Sequence, residues 1–172
     1  MKKQVLFLLL AIPFIAWSQG ESKQEIGLHM SSINNFGMIY KNGLESGNFW
    51  RYRVAALQVN SFSSNPGDNI SFNLAFSAGY EKRKDISTKL EFISGPEFQF
   101  GLGGSENTST IFLAFGYVLG VQYNLNADFK IGIEAIPALR YSYSENANNS
   151  NSDQFSLSAN SQFASLFIVH QF

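Results

Sequence analysis

The chain has 172 residues, a formal net charge of −1 and no cysteine. Without cysteine, disulfides and a lipid-modified cysteine anchor are excluded. The near-neutral charge leaves no basic excess for a nucleic-acid partner, and the length fits one domain.

The N-terminal segment has the composition of an export signal. A positively charged start precedes the apolar residues 5–17. A membrane-spanning helix needs about 20 apolar residues, so this run is too short to be an anchor. We predict a signal peptide at residues 1–18, cleaved after Ser18, and a single domain at residues 19–172. Cleavage after Gly20 is the alternative.

Most of the remaining sequence alternates between large apolar residues and small or polar ones. The alternation extends through residues 69–81, 87–103, 109–125 and 129–144. A period of two predicts β-strands, and these segments are more than twice the soluble mode of about 5 to 6 residues. One face is large and apolar, whereas the other combines Gly, Ala and Ser with charges. This composition favours a wall between hydrocarbon and a crowded lumen.

The predicted fold class is all-β, a closed antiparallel up-and-down transmembrane β-barrel of about eight strands. The strand count depends on residues 25–41, which make one long strand in a seven-strand reading. A turn at residues 31–35 divides them and gives the even count that we choose.

Three irregularities are expected within the strands. A change of parity predicts a bulge at Ala55-Ala56. Pro96 and Pro137 fall inside strands, where each removes a ladder hydrogen bond. Each proline should therefore mark a bulge.

The connections are of two kinds. Residues 81–85 and 124–128 are compact, whereas residues 61–68, 103–109 and 145–153 form polar loops. In such barrels the short turns are periplasmic and the long loops extracellular. Four aromatic residues would then flank the periplasmic turns as a girdle: Tyr40, Trp50, Tyr80 and Tyr123.

Charged residues occur in mid-strand on the small, inward face. The six are Arg51, Arg53, Glu91, Glu97, Glu134 and Arg140. A charge in a narrow lumen requires a partner, so we interpret them as a structural ion-pair network. A conducting lumen is the alternative. However, an eight-strand barrel holds little more than its own side chains.

No chemical motif accompanies this architecture. No group of His, Cys and Asp has the spacing of metal ligands. We expect no metal, no cofactor and no catalytic residue, and therefore not an enzyme.

The last seven residues alternate and end on an aromatic residue, with one face formed by Leu166, Ile168, His170 and Phe172. This segment resembles the terminal strand of bacterial outer-membrane barrels, where a C-terminal Phe is the insertion signal. Together with the signal, strands and girdle, it makes residues 25–172 similar to the small OmpX- and OmpA-transmembrane-like barrels. His170 stands where those proteins more often have Tyr.

This resemblance implies a location in the outer membrane of a Gram-negative bacterium. It also implies contact with outer-membrane lipid and recognition of the C-terminal strand by the barrel-assembly machinery. The role it implies is structural or surface-interacting, without catalysis. We expect a monomer with no nucleic-acid partner.

Two alternatives remain open. His29 and Ser31 lie two residues apart and resemble the pair of outer-membrane lipid A deacylases, which would make the chain a lipid-modifying barrel enzyme. A secreted soluble β-sandwich or lipocalin-like binding protein is the other, with the large apolar residues facing inward.

Overall fold

The computed structural model describes residues 23–32, 35–55, 72–105, 108–146, 151–158 and 164–172. The signal peptide predicted at residues 1–18 lies outside them. So does the bulge predicted at Ala55-Ala56, because residue 56 is not described. The strands are β1 (Gln24–Ser32), β2 (Asn35–Gly43), β3 (Phe49–Ala55), β4 (Phe72–Asp85), β5 (Leu90–Ser105), β6 (Thr108–Asn124), β7 (Phe129–Ala135), β8 (Ala138–Asn146), β9 (Asn151–Ser158) and β10 (Ala164–Gln171).

These strands close into an antiparallel barrel. Each strand from β1 to β6 pairs with the next, and β10 pairs back to β1. β6 pairs with both β7 and β8, which are two halves of one wall strand. β10 pairs with β7, and β9 pairs with β8. The wall therefore has eight strands. The predicted fold class is confirmed.

Residues 24–43 form two strands joined as a hairpin, which gives the barrel its even number of strands. β1 and β2 are antiparallel, with Gln24 opposite Asn42 and Ser32 opposite Asn35. The turn predicted at residues 31–35 is therefore confirmed, although residues 33–34 lie outside the described chain. A register irregularity between Met30 and Ser32 adjoins the turn.

The wall has its large apolar side chains outside and its charges inside. Leu28, Phe115 and Ile133 are 58 to 59% exposed, whereas Glu25 and Arg51 are fully buried. A soluble protein would lose stability by exposing so much apolar surface to water. The soluble β-sandwich and lipocalin-like alternatives are therefore wrong. Among the described residues, no helix is long and apolar enough to cross a membrane.

Three short turns lie at one end of the barrel, which we call the short-turn end. They occupy residues 44–48, 86–89 and 125–128. The first contains Gly47, whose φ of 77° suits glycine. The opposite end, which we call the loop end, carries the connections between β3 and β4, β5 and β6, and β8 and β9.

One compact connection was placed wrongly. Residues 81–85 belong to β4, and the turn follows them at residues 86–89. Their charges suggested a turn, but Glu81 and Arg83 face the lumen, where partners compensate them.

Two of the three predicted polar loops are shorter than expected, and the third, residues 61–68, lies outside the described chain. Gly103 pairs with Thr110, and Glu145 pairs with Asn151. The strands thus extend into these two predicted loops, because backbone pairing tolerates polar side chains outside the hydrocarbon.

The two prolines differ in their effect on the register. Gly79 lies opposite Glu97 and Lys82 opposite Ser94, so the register is the same on both sides of Pro96. The bulge predicted there is wrong, because a missing donor breaks a ladder bond but does not by itself require an extra residue. Pro137 separates β7 from β8, and both halves keep one register against β6. On the other side the register shifts by three residues, since Ala135 lies opposite Ala164 but Ala138 lies opposite Ser158, so the irregularity expected at Pro137 is present there.

Candidate functional site

The lumen on the side of the short-turn end holds a dense cluster of charges. Alternate, inward positions of seven strands supply it. The charged members are Glu25 on β1, Lys41 on β2, Arg51 and Arg53 on β3, Glu81 and Arg83 on β4, Glu91 and Glu97 on β5, and Lys130 and Glu134 on β7, and they are joined by His29 on β1 and Gln122 on β6.

Arg51 is the centre of the cluster. Its Nη2 lies 2.8 Å from one oxygen of Glu134 and 2.9 Å from the other. Its Nη1 lies 3.2 Å from Glu81, and its Nε lies 3.2 Å from Glu97. All four side chains are fully buried, so one guanidinium compensates three carboxylates that water cannot reach.

Arg53 forms the side of the cluster that faces the loop end. It donates to Ser77 Oγ at 3.1 Å, pairs closely with Glu97, and lies 3.6 Å from Glu134. Its Nη1 is 2.8 Å from His29 Nε2. Because a guanidinium only donates, that histidine nitrogen acts as the acceptor. His29 thus belongs to the lumenal network.

A second group of charges lies nearer the short-turn end. Arg83 binds Glu25 through two hydrogen bonds of 2.7 Å, and Lys130 Nζ approaches Glu25 to 2.9 Å. Glu81 accepts hydrogen bonds from Lys41 at 3.1 Å and from Arg83 at 2.8 Å. Since Glu81 also contacts Arg51, the two groups form one network.

Glu91 lies at the edge of this network. Its side chain accepts from Gln122 Nε2 at 2.6 Å and from Asn124 Nδ2 at 2.8 Å. The basic groups of Arg83 and Lys130 are more distant, at 3.7 and 3.9 Å. Its side chain is 13% exposed, so part of its charge is compensated by solvent and amides.

Arg140 lies apart from the other predicted residues. Its guanidinium is 3.6 Å from the centre of the Phe112 ring. No ion pair joins it to a carboxylate within the described chain, and its side chain is only half-buried. The Phe112 ring in turn lies close against Gly101, where an added Cβ atom would collide with it.

The structure thus brings five of the six predicted charges together and leaves Arg140 outside. Sequence reasoning missed Glu25, Lys41, Glu81, Arg83 and Lys130 as members. A signal existed for all five, because each shares the parity of the inward residues on its strand. Their charges suggested strand ends or turns instead.

The network is electrically balanced. Among the described residues it contains five carboxylates and five basic side chains. In a low-dielectric lumen such balance is necessary, because an unpaired buried charge costs several kcal/mol. No described group of His, Asp and Glu has the geometry of a metal site. The arrangement fills this part of the lumen with mutually bound side chains.

Aromatic side chains surround the short-turn end of the outer wall. Trp50 and Tyr80 meet edge to face with ring centres 5.4 Å apart, and Tyr40 stacks on Tyr52 at 6.3 Å. Tyr123 is outward and 42% exposed. Such rings suit the boundary between hydrocarbon and headgroups.

The C-terminal residues share this outer face. Leu166, Ile168 and Phe172 are outward and exposed. His170 lies against Phe129, at 4.8 Å between ring centres, and against Phe172, at 6.2 Å. Phe172 also exchanges two backbone hydrogen bonds with Gln24, which joins the chain end to β1.

Comparison with solved structures finds small outer-membrane proteins. A major outer membrane protein from Thermus thermophilus has a TM-score of 0.50 and 12% identity, over 89% of this chain and 100% of that one. Neisserial surface protein A has a TM-score of 0.47 and 13% identity, over 88% and 95%. The Yersinia pestis outer membrane protein Ail has a TM-score of 0.45 and 18% identity, over 90% and 100%. No protein-family model and no curated protein matches the chain.

At 12% identity the Thermus likeness concerns the fold alone. It confirms, at that level, the resemblance to small outer-membrane barrels. The location follows from the wall itself. A closed barrel with an exposed apolar exterior, aromatic rings near one edge and a charged interior is built to span lipid. The chain is an outer-membrane β-barrel protein.

Proposed function

We propose that the protein is a non-enzymatic barrel with a structural or surface-interaction role, whose lumen is closed by the ion-pair network. The observation that carries this proposal is the burial of Arg51, Glu81, Glu97 and Glu134 at the centre of the barrel. An eight-strand barrel is just wide enough for its own side chains, and here those side chains bind one another.

The surface-interaction part rests on strand length. β5 has 16 residues and β6 has 17, whereas about 9 to 11 suffice to cross a membrane. β5 begins and β6 ends at a turn of the short-turn end, so their excess length lies at the loop end. At that end β8 pairs with β6, and β9 pairs with β8. In such barrels this end is extracellular, and the paired strands would present a polar sheet to the surroundings.

The position of His29 argues against the lipid-modifying alternative. His29 faces the lumen between Arg53 and Glu134, and Ser31, two residues further on, shares its inward parity. A deacylase must present its histidine to a lipid, but the wall separates the His29 side chain from lipid. If the barrel has no such activity, a His29→Ala strain should have the same lipid A acylation pattern by mass spectrometry as its parent. An altered pattern would contradict the absence of catalysis.

The proposal extends to partners. Outer-membrane lipid contacts the apolar exterior, and the outward face of Leu166, Ile168, His170 and Phe172 supports recognition of β10 by the barrel-assembly machinery. The wall closes on itself through the pairing of β1 with β10, which is consistent with a monomer.

Planar-bilayer recording tests the closed lumen. The wild-type barrel should give no stepwise current. The Arg51→Ala/Glu134→Ala variant should give such currents, because it removes two large side chains that meet at 2.8 Å while preserving net charge. Arg140→Ala is the matched control, since Arg140 is outside the network, and it should remain silent. Stable open-channel currents from the wild-type protein would overturn the proposal.

A further inference from the structure

Two lysines on the outer wall of β4 are unpaired within the described chain. Lys82 and Lys84 alternate with the lumenal Glu81 and Arg83, so both point outward, and both are exposed. Glu81 and Arg83 are occupied inside the barrel, and neither lysine forms an ion pair with a described carboxylate. Their charges are therefore available to a partner outside the protein.

Outward acidic or basic residues are rare along the described strands. Lys82 and Lys84 stand on β4 near the short-turn end, and Glu145 and Asp153 stand near the loop end. A lysine facing mid-bilayer costs about 2 to 4 kcal/mol, but about 0 to 1 kcal/mol near the interface. The two lysines thus mark the headgroup level of one leaflet, and the two acids mark the other.

The neighbouring residues of the wall also place Lys82 and Lys84 at the headgroup level. Phe49 opens β3 opposite Glu81, so residues 82–85 extend past β3 and pair with β5 alone. The edge-to-face pair of Trp50 and Tyr80 adjoins them on the hydrocarbon side. Because aromatic rings lie at the membrane interface, the lysines just beyond them face the headgroups.

We propose that Lys82 and Lys84 form a binding site for the phosphate of an anionic glycerophospholipid. Residues two apart on a strand are separated by about 7 Å, so two flexible ammonium groups can converge on one phosphate. Ser94 lies opposite Lys82 and adds a hydroxyl donor. Further along the wall the small Ala78 lies between Tyr52 and Phe98, which leaves a shallow path for an acyl chain.

The positive charges of Lys82 and Lys84 favour binding of an anionic headgroup. Basic residues near an anionic membrane surface contribute about 1 kcal/mol each, and this attraction decreases with salt. At the opposite edge of the outer wall, Glu145 and Asp153 would repel the same headgroup. The inference rests on insertion of the barrel in a membrane, as concluded above, and not on the proposed closure of the lumen.

The test uses the full barrel refolded into phosphatidylcholine vesicles with and without phosphatidylglycerol, followed by native mass spectrometry of retained lipid. The wild-type protein should retain phosphatidylglycerol in preference to phosphatidylcholine. Lys82→Ser/Lys84→Ser should reduce that preference about thirty-fold, which corresponds to two lysines at about 1 kcal/mol each. Lys23→Ser/Lys89→Ser is the matched control, because it removes the same charge from exposed residues off the outer wall.

Each outcome of this experiment either supports the proposed site or contradicts it. Loss of the preference in the first variant alone, and its recovery in Lys82→Arg/Lys84→Arg, would support the site. An equal loss in the control would overturn it in favour of general electrostatic attraction. Insertion without any preference for phosphatidylglycerol would overturn it and leave the barrel assignment intact. Failure of the wild-type protein to insert would overturn both.

Discussion

The two halves of the lumen handle buried charge differently. Towards the short-turn end, ten charged side chains bind one another, and most are fully buried. Towards the loop end, Arg140 rests on Phe112 without a carboxylate, and hydroxyls such as Thr110 and Ser144 bond across strands at 2.9 Å. A charge that retains water needs no ion partner, whereas one that loses water does.

The two halves should therefore differ in their sensitivity to substitution. In the buried half, removal of one partner leaves others uncompensated, so effects should be large and shared. In the half-exposed region, removal of Arg140 exposes one ring and leaves no carboxylate unpaired.

The largest effect is expected from Arg51→Met. It leaves Glu81, Glu97 and Glu134 without their common guanidinium and should destabilise the barrel by about 3 to 5 kcal/mol. The measurement is urea unfolding in detergent micelles, with loss of the heat-dependent gel mobility shift as a second readout. A midpoint within error of the wild type would show that the network contributes little.

The double variant Arg51→Met/Glu134→Met sharpens the same comparison. Because it restores charge balance, its loss of stability should be smaller than the sum of the two single losses. Strict additivity of the three variants would mean that the two residues act independently, contrary to their contact at 2.8 Å.

The smallest effect is expected from Arg140→Ala. It removes a cation–π contact, which is worth about 0.5 to 2 kcal/mol, and should lower the unfolding midpoint slightly. Arg140→Met keeps most of the side-chain volume and serves as the control for packing. A loss as large as that of Arg51→Met would contradict the distinction between the two halves.

Much of the wall could be predicted from alternation, because lipid outside and a narrow lumen inside impose a period of two. The inward placement of Arg51, Glu97 and Glu134 followed from parity alone. Parity would also have placed Glu81 and Arg83 inside, but a run of charges resembles a turn when its partners are unknown.

Membership of the network was not predictable in the same way. Arg140 has the right parity and the right charge, yet it lies over Phe112. Parity tells which face a side chain occupies, whereas its height in the lumen depends on the tilt and stagger of the closed barrel. Pro96 and Pro137 show the same limit, since only the partner strands decided that the register is unchanged at Pro96 and shifts at Pro137.

By itself, the sequence determined the strand pattern, the polarity of the wall and the presence of charges within it. These features are local, because neighbouring side chains of a strand point to opposite faces. Only the tertiary structure decided which charges meet. Glu25 binds Arg83 across 58 positions of sequence, and Arg51 binds Glu134 across 83. Those contacts exist because closing the wall fixes the register of every strand, and a shift of one residue would turn each charge towards lipid.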